Sequence, residues 1–165
     1  MSNQNNTEQR EDYSIETVKK LGNEGNLVAS LLLCSAFVEH YCKTRLFIFL
    51  TSNRPIEIIR VRDKKTKEMK NAAIWCKMKE SILGMNQARV IDVGLLVGAW
   101  NYELWTQLRL FNKNRNNFVH QHEYILKMLK KDDEEKAKKI IEQGLALLHN
   151  IKFGYMDSRR KVVRR

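Results

Sequence analysis

The chain has one proline in 165 residues and only seven glycines. Both residues punctuate turns, so their scarcity excludes an all-β fold built on many tight connections. Cysteine is scarce too. Cys34, Cys42 and Cys76 are an odd number without the paired spacing of a metal site. Cys34 and Cys42 lie in an apolar segment, where buried free thiols in a reducing compartment are the ordinary reading. No uncharged run is long enough to span a bilayer. The apolar run Asn26 to Val38 stops at Glu39, and His40, Lys43 and Arg45 follow. The opening MSNQNNTEQRED is polar and lacks the apolar stretch of a signal peptide. These absences lead us to expect a cytoplasmic protein with no membrane partner. A Gly-rich phosphate loop and a Ser-His-Asp order are also missing.

Acidic residues are in deficit as well. There are 30 Lys and Arg against 19 Asp and Glu, a net charge of +11 and a pI near 9.7. A surplus of that size favours polyanionic partners, nucleic acid first, although it also serves as a solubilising surface. Hydrophobic residues at 43% and charged residues at 30% give an ordinary globular balance, enough for one domain with a real core.

The pattern predicts an all-α fold, an antiparallel bundle of four to five main helices. Residues 1–12 read as a disordered tail, 13–155 as one helical domain and 156–165 as a loose basic tail. Ile15, Val18 and Leu21 suit a first short helix, and the Gly22-to-Asn26 cluster a break. Leu27 to Leu50 reads as a long helix, apolar on most sides. Its expected buried stripe is Val28, Leu31, Leu32, Ser35, Glu39, Cys42, Leu46 and Phe49, which places a carboxylate on an apolar face. That helix is also a candidate docking surface in its own right. Thr51 to Pro55 is turn chemistry. Residues 56–70 fit a short β-hairpin or a basic loop. A helix is expected over Asn71–Gly84, with Ile74, Trp75, Met78, Ile82 and Leu83 at helical spacing. A shorter one over Asn86–Val97 turns Val90, Ile91, Leu95 and Leu96 inward. Asn101 caps the next helix, whose core residues are Leu104, Trp105, Leu108, Phe111 and Phe118. Glu123–Lys131 reads as a further helical piece. Asp132 to Glu135 mark the start of a last helix, with Ile140, Ile141, Leu145, Leu147 and Leu148 as its core face.

The stretch NKNRNNFVHQH, Asn112 to His122, stands out. It sets Arg115 and His120 five apart in a run of amides. Five residues of ideal helix turn about 500°, so the two side chains point roughly 140° apart. Two routes bring them together. The helix unwinds at its asparagines, which are weak helix formers, or two copies of the motif face each other. Chemically the pair suits a phosphodiester. Arginine offers a charged planar fork to phosphate oxygens, and histidine moves protons near neutral pH. RNA needs no metal for this, because its own 2′-hydroxyl attacks the neighbouring phosphorus. His120 is then the acid or base, Arg115 the charge stabiliser, and Asn116 a group that orients His120 or binds phosphate. By chance alone an Arg and a His at this spacing on a surface helix are common. Glu39 reads either as a carboxylate paired with a nearby cation or as the group that holds Arg115 or His120 in place.

The segment LRLFNKNRNNFVHQ resembles the signature of the HEPN superfamily (higher eukaryotes and prokaryotes nucleotide-binding): an Arg, a polar residue that is often Asn, then a His. The preceding ARVIDVGLLVGAWNYELWTQLR looks like the helix–break–helix that leads into that motif in uncharacterised prokaryotic and mannitol-repressor-like members. LLLCSAFVEHYCKTRLF looks like the early family helix with an inward acidic residue, here Glu39. The resemblance spans Leu27 to Asn150. It implies an all-α bundle, a homodimer whose two motifs line one cleft, and in active branches metal-independent RNA cleavage by a toxin or defence effector. An antitoxin or regulatory protein is then a further partner; no cofactor and no metal are implied. In the branch regulated by adenylylation a Tyr stands two places after the His; here His122 holds that place and the nearest tyrosine is Tyr124.

Further phosphate contacts are expected from Arg60, Arg62, Lys64 and Lys65 in the basic segment, from Lys113, and from Arg159 and Arg160 near the C-terminus. A solvated loop and a frayed end are their bland alternatives. His120-Gln-His122 is too small a set for a metal site. His40 and His149 read as ordinary helix residues, and Trp75, Trp100 and Trp105 as core or interface. A non-catalytic nucleic-acid-binding or regulatory module of the same fold is the competing function.

Overall fold

The structure, a computed structural model, describes residues 15–52, 58–62, 65–66, 69–122 and 131–162. It does not describe the side chains of 58–62, 69–73, 121–122 and 152–162. The described residues form six helices and one two-stranded hairpin. None of these helices is long and apolar enough to cross a membrane.

Helix α1 covers residues 15–23 and buries Val18 fully. It breaks where the glycine cluster predicts. Gly25 takes φ 80°, a left-handed conformation that glycine adopts without a Cβ penalty. Asn26 then accepts from Ser30 N at 3.0 Å through its carbonyl and starts α2, Leu27–Thr51. The buried apolar residues of α2 are Leu27, Leu31, Cys34, Val38, Cys42 and Leu46, at steps of three or four, with Ser30 and Ser35 buried among them. Of the expected stripe, Leu31, Ser35, Cys42 and Leu46 are buried, but its outer edge is rotated into solvent: Leu32 is 49% and Phe49 44% exposed. A helix apolar on most sides gives periodicity no face to choose. At its end, Thr51 Oγ1 donates to Phe47 O at 2.8 Å.

Strands β1, Ile58–Arg62, and β2, Met69–Ala73, pair antiparallel with Arg60 opposite Asn71. This settles the open choice at 56–70 in favour of a hairpin. It also places Asn71, Ala72 and Ala73 in a strand rather than in the expected helix, so that α3 begins at Ile74 and ends at Gly84. Ile82 is buried as the spacing predicts, while Trp75 and Leu83 of the same apolar set are exposed. Asn86 caps α4, Gln87–Leu96, by accepting from Arg89 N at 2.9 Å. Val90 and Ile91 are fully buried as predicted, but Leu96 is 83% exposed. The turn after α4 explains the difference. Trp100 folds back so closely that a Cβ on Gly94 would overlap its indole ring, and its Nε1 donates to Ile91 O at 3.0 Å. The indole supplies the cover expected of a leucine.

Asn101 accepts from Leu104 N at 2.9 Å, as a cap should, and α5 runs from Tyr102 to His122. Its core residues Leu108, Phe111 and Phe118 are buried. Helix α6, Lys131–Val162, opens with Asp132, Asp133 and Glu134 in its first turn, favourable charges at a helix N-terminus. It continues through Arg159 and Arg160, so the expected loose tail from 156 is helical as far as Val162. The expected helical piece at Glu123–Lys131 lies outside the described residues except for Lys131, and the 1–12 tail lies wholly outside them.

Contacts group the chain into two compact units. Unit 1 is Met1–Tyr41 with Thr106–Arg165, and unit 2 is Cys42–Trp105. Unit 1 contains the helical segments that carry the Arg–His motif. Ser30 Oγ donates to Val18 O at 2.8 Å and ties α2 to α1. Gly144 of α6 lies against Cys34 of α2 and Phe111 of α5, and Asn114 Nδ2 donates to Gln143 Oε1 at 3.2 Å. In unit 2, Lys43 Nζ donates to Leu83 O at 2.9 Å, and Trp105 Nε1 to Asp92 Oδ1 at 3.0 Å.

Candidate functional site

Every residue of the motif stands on α5, so the helix fixes the geometry. The asparagines do not unwind it: Asn112, Asn114, Asn116 and Asn117 all lie inside one continuous helix. Each asparagine in a helix interior costs a few tenths of a kcal/mol relative to alanine, up to about 0.7. Burying Phe111 and Phe118 on either side of the run outweighs that, at about 1.5–3 kcal/mol each. Asn112 is itself buried, and Asn114 reaches Gln143.

An unbroken helix sends Arg115 and His120 to different sides. Arg115 is half-buried on the side of Phe111 and Phe118, and His120 is exposed with Lys113 and Asn117. Asn116 is half-buried between them. Of the two routes that bring guanidinium and imidazole together, unwinding is therefore closed within one chain.

Glu39, half-buried on α2, faces Arg115 electrostatically. Burial pulls the Arg115 pKa below its ordinary value, and the Glu39 charge pushes it back up. The guanidinium stays charged because arginine titrates so far above neutrality. This gives Glu39 the cation that a carboxylate on an apolar face requires. The fold brings Glu39 and Arg115 together and leaves His120 apart from them.

The remaining candidates are spread more widely. Arg60 and Arg62 are in β1, Lys65 is an exposed turn residue, and Lys64 is outside the described residues. Lys113 is exposed on α5, and the backbone of Arg159 and Arg160 is in α6. His40 is exposed and meets the Tyr41 ring edge-on at 5.7 Å.

Helix α5 carries a further feature that Arg-to-His spacing does not reveal. From Thr106 to His122 the chain has no Asp or Glu, while Arg109, Lys113 and Arg115 are cationic. Arg109, Lys113, Asn117 and His120 are all exposed. A helical wheel of the sequence brings this stripe out. No family model, no curated protein and no solved structure matches this chain.

Proposed function

We propose that this protein is a metal-independent endoribonuclease of the toxin or defence-effector type. It acts as a homodimer in which Arg115 of one copy and His120 of the other meet at one phosphodiester. The observation that carries this reading is the division of α5. Arg115 is anchored and kept charged beside Glu39, and His120 is exposed to a substrate or a second copy. The HEPN-like motif supplies the chemistry. The 2′-hydroxyl oxygen forms a bond to the adjacent phosphorus as a base takes its proton. The bond from phosphorus to the 5′-oxygen breaks, and an acid protonates that oxygen. His120 serves one of these proton transfers, Arg115 stabilises the charge on the phosphoryl oxygens, and Asn116 orients the group.

The test is incubation of the parent protein and His120→Ala with total RNA in EDTA. Cleavage by the parent alone, leaving 2′,3′-cyclic phosphate ends, is the expected result. Cleavage by His120→Ala at the parental rate would retire the proposal.

A second reading takes the same pairing another way: Arg115 lies on the inward side of α5 facing Glu39. On this reading the Arg–Glu pair holds two helices together and the protein is a nucleic-acid-binding or regulatory module. It then binds RNA with a steep salt dependence and without turnover. An antitoxin or regulatory protein as a further partner belongs to the first reading.

A further inference from the structure

The outward face of α5 within unit 1 has a composition unlike the other long exposed helix surface of that unit. Helix α6 mixes signs along its exposed positions: Lys131, Asp132, Glu134, Glu135, Lys136, Lys138, Lys139 and Glu142. Such a surface is close to neutral to an approaching polyanion. The outward face of α5 has Arg109, Leu110, Lys113, Asn117 and His120, all exposed, and no acid in the helix from Thr106 onward. At 100° per residue, Arg109, Leu110, Lys113, Asn117 and His120 fall within an arc of roughly 100°. They extend about 16 Å along the axis, the reach of a few nucleotides.

We propose that this face is a track for single-stranded RNA that ends at His120. The single-stranded form follows from the side chains. Arg109 and Lys113 are spaced one helical turn apart for successive phosphates of one strand. Asn117 offers an amide donor and acceptor that suit the edges of unpaired bases, which a duplex hides in its deep, narrow major groove. Leu110, half exposed, gives a base or ribose an apolar surface without competing for water. The polarity of the track follows as well: phosphates are gripped toward the Arg109 end, and the link beside His120 is the one presented. As a cleavage track it rests on the ribonuclease reading, whereas as a binding track it stands without it.

The test separates the two. Binding of a labelled single strand of about 16 nucleotides is followed by anisotropy over a range of KCl, with His120→Ala as the parent so that nothing is cleaved. The double variant Arg109→Gln/Lys113→Gln is expected to bind at least about tenfold more weakly. Its log–log salt slope should be shallower by about 1.4, because two phosphates of a single strand are no longer neutralised. Lys138→Gln/Lys139→Gln on α6 should leave that slope unchanged, and the same sequence as a duplex should be less affected by the α5 changes. Circular dichroism checks that the exposed substitutions leave the fold intact. An unchanged slope and affinity in a folded α5 double variant overturns the track, whether or not the protein with His120 cleaves RNA. A change in oligomeric size with unchanged RNA binding also overturns it, because the face then belongs to a protein partner. Loss of binding with no cleavage by the His120 protein supports the track and sinks the ribonuclease reading alone.

Discussion

Gly144 lies mid-helix in α6, where propensity alone says that alanine is an improvement of about 1 kcal/mol. The packing says the opposite. A Cβ at 144 would lie 2.8 and 3.1 Å from two Phe111 ring carbons and would overlap Cys34 Sγ. Ordinary carbon contacts are about 3.5–4.0 Å, so the ring and the sulfur must give way by more than half an ångström. Phe111 is 1% exposed and Cys34 fully buried, which leaves neither an open side to move into. Overpacking of this kind costs about 1–3 kcal/mol, and with two rigid neighbours the upper figure applies. Net of the propensity gain, Gly144→Ala is destabilised by about 2 kcal/mol, a fall in Tm of about 4–8 °C for a chain of this length. Thermal and urea unfolding measure it. Gly84, the last residue of α3, has open space within 4 Å of where a methyl would stand and no left-handed φ, so Gly84→Ala should be neutral or gain roughly 0.5 kcal/mol. Adding Cys34→Ala to Gly144→Ala should recover part of the loss. Equal or higher stability for Gly144→Ala would refute the packing argument.

Three further outcomes follow from named contacts. Glu39→Gln should cost about 1 kcal/mol after solvent screening of a half-buried pair, and a double-mutant cycle with Arg115→Met should show a coupling of the same size. Burial pushes the Cys34 thiol up to about 12 from 9.0, so in the native protein it should react with a thiol reagent far more slowly than after unfolding. The same shift has a sign in stability. Above pH 9 the unfolded chain loses the Cys34 proton and the folded one keeps it, so stability contributed by this thiol is intact below pH 9 and falls as pH rises toward 12. Alkaline urea titrations of the parent and Cys34→Ala measure it: the parent should lose more stability over that range.

The sequence is most legible where one apolar face competes with a polar one. In α5 the spacing of Leu108, Phe111 and Phe118 names buried residues correctly, and Asn101 and Asp132 mark helix starts because caps and dipoles act locally. It is least legible where both faces are apolar. The outer edge of the stripe on α2 is rotated into solvent, and Leu96 lies outside because Trp100 takes the cover over α4. The asparagine run suggests unwinding from propensity alone, and the two flanking phenylalanines override it. Within the site, the sequence shows that Glu39 needs a cation. It offers Arg115 as one candidate beside His120 or another nearby cation, and the choice depends on how α2 meets α5. The exposed side of α5 is present in the sequence, but the linear spacing of the motif does not display it.

Complementation in trans tests the two-copy site most directly. Arg115→Ala and His120→Ala proteins are each expected to be inactive on RNA. Mixed and allowed to exchange subunits, they form pairs in which one of the two composite sites keeps both groups, so about a quarter of the parental cleavage rate should return. No recovery from a mixture shown to contain the hybrid pair, alongside an active parent, would contradict a site shared between copies.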